Sequence, residues 1–413
     1  MTRYDDLAAR YGTPLYVYDL DEVTAARDEL LGSLPDEFEL FYALKANPHP
    51  ELVRALREGS NGRLRPEISS TGELAAALAA GFAGADVLYT GPAKTAGELD
   101  EAIGLGVRTF STDSVTDVRH VGEAALRHGV VADVLLRINS AKASATTSIR
   151  MTGTPSQFGF DSETLVDVLP ELREIDGIEI SGMHFFPLSN ARDEESLISE
   201  FRTTIEQAAQ LRDELGIPLR FLDIGGGFTV PYAVPGERGE YPKLQAELAI
   251  ALDTHFPNWR TEGPQVACES GRFLIGASGT LIAGVVNTKV SRGRKFVIMD
   301  AGINTFGGMS GLGRLLPVSV EVDGDEPVES ASLVGPLCTP GDILGREIKL
   351  PALAADDIVT IPNAGAYGPT ASLLMFLGRP APTEVIVRGD EVVSVSRIEH
   401  ERSYQVGTAP QAH

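Results

Sequence analysis

The sequence predicts an α/β fold, a (β/α)8 barrel followed by a C-terminal β-rich domain, and three observations predict it. Between residues 38 and 270, short β-branched or apolar runs alternate with longer stretches rich in Ala, Leu, Glu and Arg at helical spacing. The short runs number eight, the strand count and chain length of a single (β/α)8 barrel. After Arg272 the texture changes to short strands without long helices between them.

In chain order, TPLYVYD reads as a strand that can pair with either part. The barrel strands are expected in ELFYALKA, LRPEIS, DVLYT, VRTFST, ADVLLRI, EISGMHFF, RFLDIGG and QVACES. The β-rich part is expected in FLIGASGTLIAGVVNTKV, KFVIMDAG, LPVSVEV, DIVTIPNAG and TEVIVRGDEVVSVSR, with a frayed tail from about Ser403. The expected division is a barrel over 22–272 and a β-rich domain built from 1–21 and 273–413.

The chain of 413 residues is 43% hydrophobic and 23% charged, enough for two domains with a substantial core. Its first residues lack a basic stretch followed by an apolar one, and no apolar run approaches the ~20 residues that span a bilayer, so a cytoplasmic location is expected. Cys268 and Cys338 make no disulfide framework, their spacing fits no metal pattern, and no metal is expected. A formal net charge of -23 argues against a nucleic-acid partner, because that affinity is built from Lys and Arg neutralising phosphates. A small molecule or a protein remains as the partner.

Catalysis in a barrel belongs at the C-terminal ends of its strands. There the chain places Lys45, Glu67, Arg137, His184, the run Gly225, Gly226 and Gly227, and Glu269. All but Glu269 also have a structural reading: a lysine reaching to water, a structural ion pair at the barrel mouth for either Arg137 or Glu67, a core histidine, a tight glycine turn. Three successive residues without Cβ also expose backbone N–H groups that can close around a phosphate. ESGR repeats the device with Gly271 and Arg272, whose planar fork suits phosphate oxygens. A phosphate cradle facing a lysine suggests pyridoxal 5′-phosphate held as a Schiff base.

FYALKANPHPELVRAL, GMHFFPLSN, LDIGGGF, CESGRFL, GPLCTPGDILG and NAGAYGP, in this order, resemble the fold-type III pyridoxal-phosphate decarboxylases related to diaminopimelate and ornithine decarboxylases. The resemblance implies a barrel of the alanine-racemase type and a head-to-tail homodimer whose active sites and interface are completed by the β-rich domain. It implies that Lys45 binds the cofactor covalently, that His184 stacks on its ring, and that Glu67 and Arg137 support ring and lysine. Glu269 matches the carboxylate that keeps the pyridine nitrogen protonated. Alanine racemases place an arginine there, so Glu269 favours decarboxylation over racemisation. Tyr367 matches a tyrosine that donates to the cofactor phosphate. Cys338 matches a cysteine that reaches the neighbouring subunit's site and returns a proton to carbon after CO2 leaves.

Two departures stand out. After this cysteine, diaminopimelate and ornithine decarboxylases carry an acidic residue that meets the substrate's distal ammonium, whereas this chain has Thr339. The substrate's far end is therefore expected to be neutral, acylated or differently charged, with Thr339 and Asp342 as substrate candidates, although Asp342 can instead order the cysteine loop. After His184 the chain reads FFPLSN where relatives carry a Ser-Gly-Thr-type segment; Pro187 has no N–H, leaving Ser189 and Asn190 as polar candidates for the phosphate.

GPLCTPGD, DAGINTFGGMSGLGRLLPV and PSQFGFD are similar to a natural-product subgroup that includes the butirosin-pathway decarboxylase of carrier-tethered glutamate. A modified or carrier-bound amino acid is the substrate this implies. Because a chain of -23 repels an acidic carrier, SRGRK, with Arg292, Arg294 and Lys295, is the candidate docking patch, or else a solvated hairpin turn. The alternatives are a diaminopimelate-type decarboxylase of a free amino acid and a non-catalytic cofactor-binding homologue.

Overall fold

The structure, a computed structural model, describes residues 3–141, 155–307 and 328–403. It divides into two compact units, one of residues 20–231 with 236–278, the other of residues 1–19, 232–235 and 279–413. Among the described residues no helix is long and apolar enough to cross a membrane.

A helix, Arg3–Tyr11, precedes β1 (Leu15–Asp19), and both belong to the second unit. The first unit then builds β2 (Glu39–Ala43), β3 (Leu64–Ile68), β4 (Leu88–Tyr89), β5 (Thr109–Thr112), β6 (Ala132–Asn139), β7 (Phe160–Asp161), β8 (Ile178–Phe185), β9 (Phe221–Asp223) and β10 (Gln265–Ser270). All pairings are parallel, and the order β2-β3-β4-β5-β6-β8-β9-β10 closes through β10 on β2, giving the eight-stranded barrel the sequence predicts. The short β7, in the stretch PSQFGFD, was not expected as a strand; it pairs with the end of β6.

Helices cross between the strands, and their starts follow local chemistry. Ser70 accepts from Glu73 N, and Thr95 and Glu98 cap each other reciprocally. The helix Glu194–Leu215 starts at Asp193 and stops at Gly216, whose φ of 62° is the left-handed turn glycine permits.

Inside the barrel, alternate residues point inward. Phe41, Leu88, Leu135 and Ala267 form a buried cluster with Phe221 against it, an apolar plug across the barrel. Two residues further along the same strands come Ala43, Thr90, Arg137, Asp223 and Glu269. The period of two thus lays a mostly polar layer directly on the plug, on the side of the strands' C-terminal ends.

The other unit adds β11 (Gly279–Ser291), β12 (Arg294–Met299), β13 (Glu329–Val334), β14 (Ile343–Leu350), β15 (Ile358–Ile361), β16 (Thr383–Arg388) and β17 (Glu391–Arg397). Their sheet runs β14-β13-β12-β11-β1-β16-β17, with β15 paired to β11. The N-terminal strand is therefore central, over a core of Leu7, Leu15, Val17, Ile282, Val385 and Val387. Residues 273–278, expected at the start of a strand, instead make a helical turn, and the strand begins at Gly279. The expected strand LPVSVEV lies outside the described residues, as do most of DAGINTFGGMSGLGRLLPV and nearly all of the tail.

One buried acid in this sheet carries a pH prediction. Burial pushes the Glu384 carboxyl up to about 7, and the Tyr18 hydroxyl at 3.3 Å offsets only part of that. Because the folded value exceeds the ordinary 4.5, the stability contributed by this group is complete below about 4.5 and is lost as pH rises through about 7. Glu384→Gln is expected to match the parent chain in acid and to be more stable by about 3 kcal/mol above neutrality, read by urea denaturation across pH.

Candidate active site

Lys45 does not end a strand. Sheet pairing stops at Ala43, and a single 3-10 turn, Leu44–Ala46, carries the lysine over the barrel mouth, where its side chain is 43% exposed. Its Nζ donates to Glu67 Oε1 at 3.3 Å and lies 5.3 Å from the centre of the Phe186 ring. Glu67, near the end of β3, is buried and also accepts from Thr90 Oγ1 at 2.7 Å. A buried carboxylate with two donors is a fixed anchor for a mobile amine.

Arg137 sits within β6, two residues before its end, and its guanidinium lies over the rings of Phe158 (4.7 Å) and Phe186 (5.8 Å). Phe186 is thus shared by the lysine and the arginine. The alternative reading of Arg137 and Glu67 as ion-pair members at the barrel mouth has these partners: Glu67 pairs with Lys45, and Arg137 Nε lies 4.0 Å from Asp113 Oδ1.

His184, on β8, is buried between two strands' side chains. Its Nδ1 lies 2.6 Å from Ser111 Oγ, and its Nε2 lies 3.0 Å from Glu269 Oε1. The second approach is short but poorly aligned, so both atoms are buried without a directed hydrogen bond. Burial acts to raise the Glu269 carboxyl, yet the opposed His184, with Lys45 and Arg137 beyond, outweighs it and holds the group down to about 2. Glu269 is therefore an anion in a water-poor site.

The glycine run follows β9 for a steric reason. A Cβ on Gly225 would meet Phe185 O at 2.4 Å, one on Gly226 would meet Glu269 O at 2.4 Å, and one on Gly227 would meet Leu188 Cδ1 at 2.4 Å. Gly225 and Gly227 also have φ of 78° and 131°. Gly271, at the head of Arg272–Ile275, likewise leaves no room, with Ala46 Cβ at 2.9 Å. Ser189 is half-buried just after β8, and the neighbouring Asn190 accepts from Thr229 Oγ1 at 3.0 Å.

The remaining candidates lie in the β-rich unit. Cys338 is exposed. Thr339 Oγ1 accepts from Gly341 N at 3.3 Å, a turn within the loop itself. Asp342 is buried; its Oδ1 accepts from Ile303 N at 2.8 Å and its Oδ2 from Leu337 N at 2.7 Å. Of the two roles expected for Asp342, substrate contact and ordering of the cysteine loop, these hydrogen bonds fit the second. Tyr367 has a left-handed φ of 54°, and Tyr232 packs edge-on against it with its hydroxyl 3.4 Å from Tyr367 O. In SRGRK, Arg294 pairs with Glu347 and Lys295 with Glu329, so two of the three cations are already neutralised at the hairpin between β11 and β12.

Sequence reasoning missed Ser111, Thr90, Phe186 and Asp223. Only Asp223 had a signal, an acid on the inward phase of the seventh expected strand.

The residues fit pyridoxal phosphate. The barrel mouth offers an accessible amine, a buried imidazole, an anion with an orphaned oxygen, and glycine turns too tight for any Cβ. A family model described as "Pyridoxal-dependent decarboxylase, pyridoxal binding domain" matches residues 20–276. The chain belongs to the pyridoxal-dependent decarboxylases. It is 31% identical over 404 residues to the L-glutamyl-[BtrI acyl-carrier protein] decarboxylase of Niallia circulans, covering 95% of this chain and 92% of that one. It is 34% identical over 388 residues to the diaminopimelate decarboxylase of Deinococcus radiodurans, covering 94% and 93%. The crystal structure of diaminopimelate decarboxylase from Helicobacter pylori complexed with L-lysine superposes with a TM-score of 0.80 at 26% identity, over 95% of each chain. This decarboxylase therefore uses pyridoxal phosphate, which when bound supplies an electron sink for the pair released as the carboxylate leaves.

Proposed function

We propose that this decarboxylase acts on an L-amino acid whose side chain ends in an amide, an acyl group or a carrier tether rather than a free ammonium, releasing CO2 and the corresponding amine. One observation carries the reading: the residue after Cys338 is Thr339, and the only acid in GPLCTPGD, Asp342, is turned inward onto backbone N–H groups. A desolvated ammonium would find no carboxylate on this loop. The relative that decarboxylates carrier-bound glutamate supports the same class of substrate. The paired cations of SRGRK speak against that turn as a carrier dock. The similarity to diaminopimelate decarboxylases favours a second reading, a free amino acid.

In this reading Lys45 would hold the cofactor covalently, with Glu67 steadying its amine. His184 would stack on its ring, Arg137 would flank it, and Glu269 would hold a proton at the ring nitrogen. Gly225, Gly226, Gly227, Ser189, Gly271 and Arg272 would hold its phosphate, with Tyr367 as the further donor that the family resemblance implies. Cys338 Sγ–H of a partner subunit returns a proton to the carbon left by CO2, which makes the working unit a homodimer.

Mass spectrometry in deuterated water tests the substrate class, with L-amino acids, their side-chain amides and glutamyl-pantetheine thioesters compared. Amide or thioester ends are expected to outrun lysine, ornithine and diaminopimelate, with one deuterium at the former α-carbon. Thr339→Asp should shift that preference toward ammonium-ended substrates by about tenfold or more. A parent enzyme that prefers the ammonium-ended amino acids would reject the reading.

A further inference from the structure

Asp223 is fully buried at the end of β9, and one of its oxygens has no donor. Oδ1 accepts from Gly225 N at 2.9 Å, the first link of the glycine run. Oδ2 is sealed from solvent, and no N–H, O–H or S–H of the described residues reaches it. On the adjacent strand, Glu269 Oε1 is orphaned in the same way. β9 and β10 are in parallel register with Asp223 opposite Ala267, so Glu269, two residues on, is the next inward side chain. Ligating atoms of Asp223, Glu269 and His184 all lie within 4.8 Å of one another.

Two orphaned carboxyl oxygens side by side in a dry barrel are one proton short. If both groups were ionised, two like charges would face each other with one oxygen of each unsolvated. His184 Nε2 can turn onto Glu269 Oε1, but nothing remains for Asp223 Oδ2. We propose that Asp223 stays a neutral carboxylic acid and donates its Oδ2 proton to Glu269, a positioning residue that leaves Glu269 ionised and aimed by two donors. Burial and the charge of Glu269 both push Asp223 well above the usual carboxylate range, which agrees. The arrangement explains how a glycine turn and an anion on different strands are tied together: one carboxyl accepts from Gly225 and donates to Glu269. It rests on the cofactor and is independent of the substrate class proposed above.

The amide variant separates a donor from an anion. Asp223→Asn keeps a carbonyl for Gly225 N and supplies an N–H to Glu269, whereas Asp223→Ala supplies neither. Infrared difference spectra of the cofactor-free protein at mildly alkaline pH, parent minus Asp223→Asn, should show a protonated-carboxyl C=O band from the parent. Titrating pyridoxal phosphate into each apoprotein, Asp223→Asn should bind within about threefold of the parent and Asp223→Ala about tenfold or more weaker. The proposal is overturned if the band is missing, if Asp223→Asn binds as poorly as Asp223→Ala, or if the purified protein carries a stoichiometric divalent metal, which would need both carboxylates ionised. Should Asp223→Ala not fold, the band and the Asp223→Asn titration decide by themselves.

Discussion

Lys45→Ala is expected to lower CO2 release by at least about 10²–10⁴-fold, the range that loss of a positioned proton-transfer group costs, and to abolish trapping of the cofactor by borohydride. The lysine is the exposed member of the mouth, resting on a turn rather than within the sheet, so its loss removes a nucleophile and little packing. Glu67 keeps the Thr90 hydroxyl at 2.7 Å, and the stability change should stay near 1 kcal/mol. Lys45→Arg sharpens the test, because a guanidinium preserves the charge beside Glu67 but cannot form the covalent link. Both variants should be inactive while keeping the parent's far-ultraviolet circular dichroism. An active Lys45→Arg would show that the charge beside Glu67 is what catalysis needs and would move the covalent role elsewhere.

The parts legible in the sequence are those written by periodicity and by unusual chemistry. All eight barrel strands lie where the apolar runs put them, and Lys45, Glu67, Arg137, His184 and Glu269 converge on one mouth. What was not legible depends on partners across strands. Ser111 is an ordinary hydroxyl until β5 brings it 2.6 Å from His184 Nδ1. Thr90 is likewise an ordinary hydroxyl until it reaches Glu67 Oε1 at 2.7 Å. β13 and β14 were missed because their registers are broken by bulges and their exposed faces carry Glu, Arg and Lys, which blurs the alternation.

Gly182 shows the same limit at its sharpest, and replacing it should have the second large effect. In the sequence it is a glycine inside EISGMHFF, a mild weakness in a strand. In the barrel, a Cβ at this position would meet Phe221 O at 1.8 Å and Leu135 Cδ2 at 3.2 Å, because Gly182 is in register with both residues on the flanking strands. A backbone oxygen cannot rotate away, so Gly182→Ala has to push β8 and β9 apart. His184 and Asp223, each two residues further along, move with them. The expected result is a loss of about 3 kcal/mol in urea denaturation, at the upper end for overpacking. Pyridoxal phosphate should also bind about tenfold more weakly, since the imidazole and the carboxyl pair lose register together. Gly97→Ala is the control: it lies in the helix Ala96–Gly104 with nothing within 4 Å of its Cβ, and should gain about 0.5 kcal/mol by restricting the unfolded chain. A Gly182→Ala protein as stable as the control would mean that the two strands can separate at no cost, and the close approach of β8 to β9 would then not be what holds His184 and Asp223 in register.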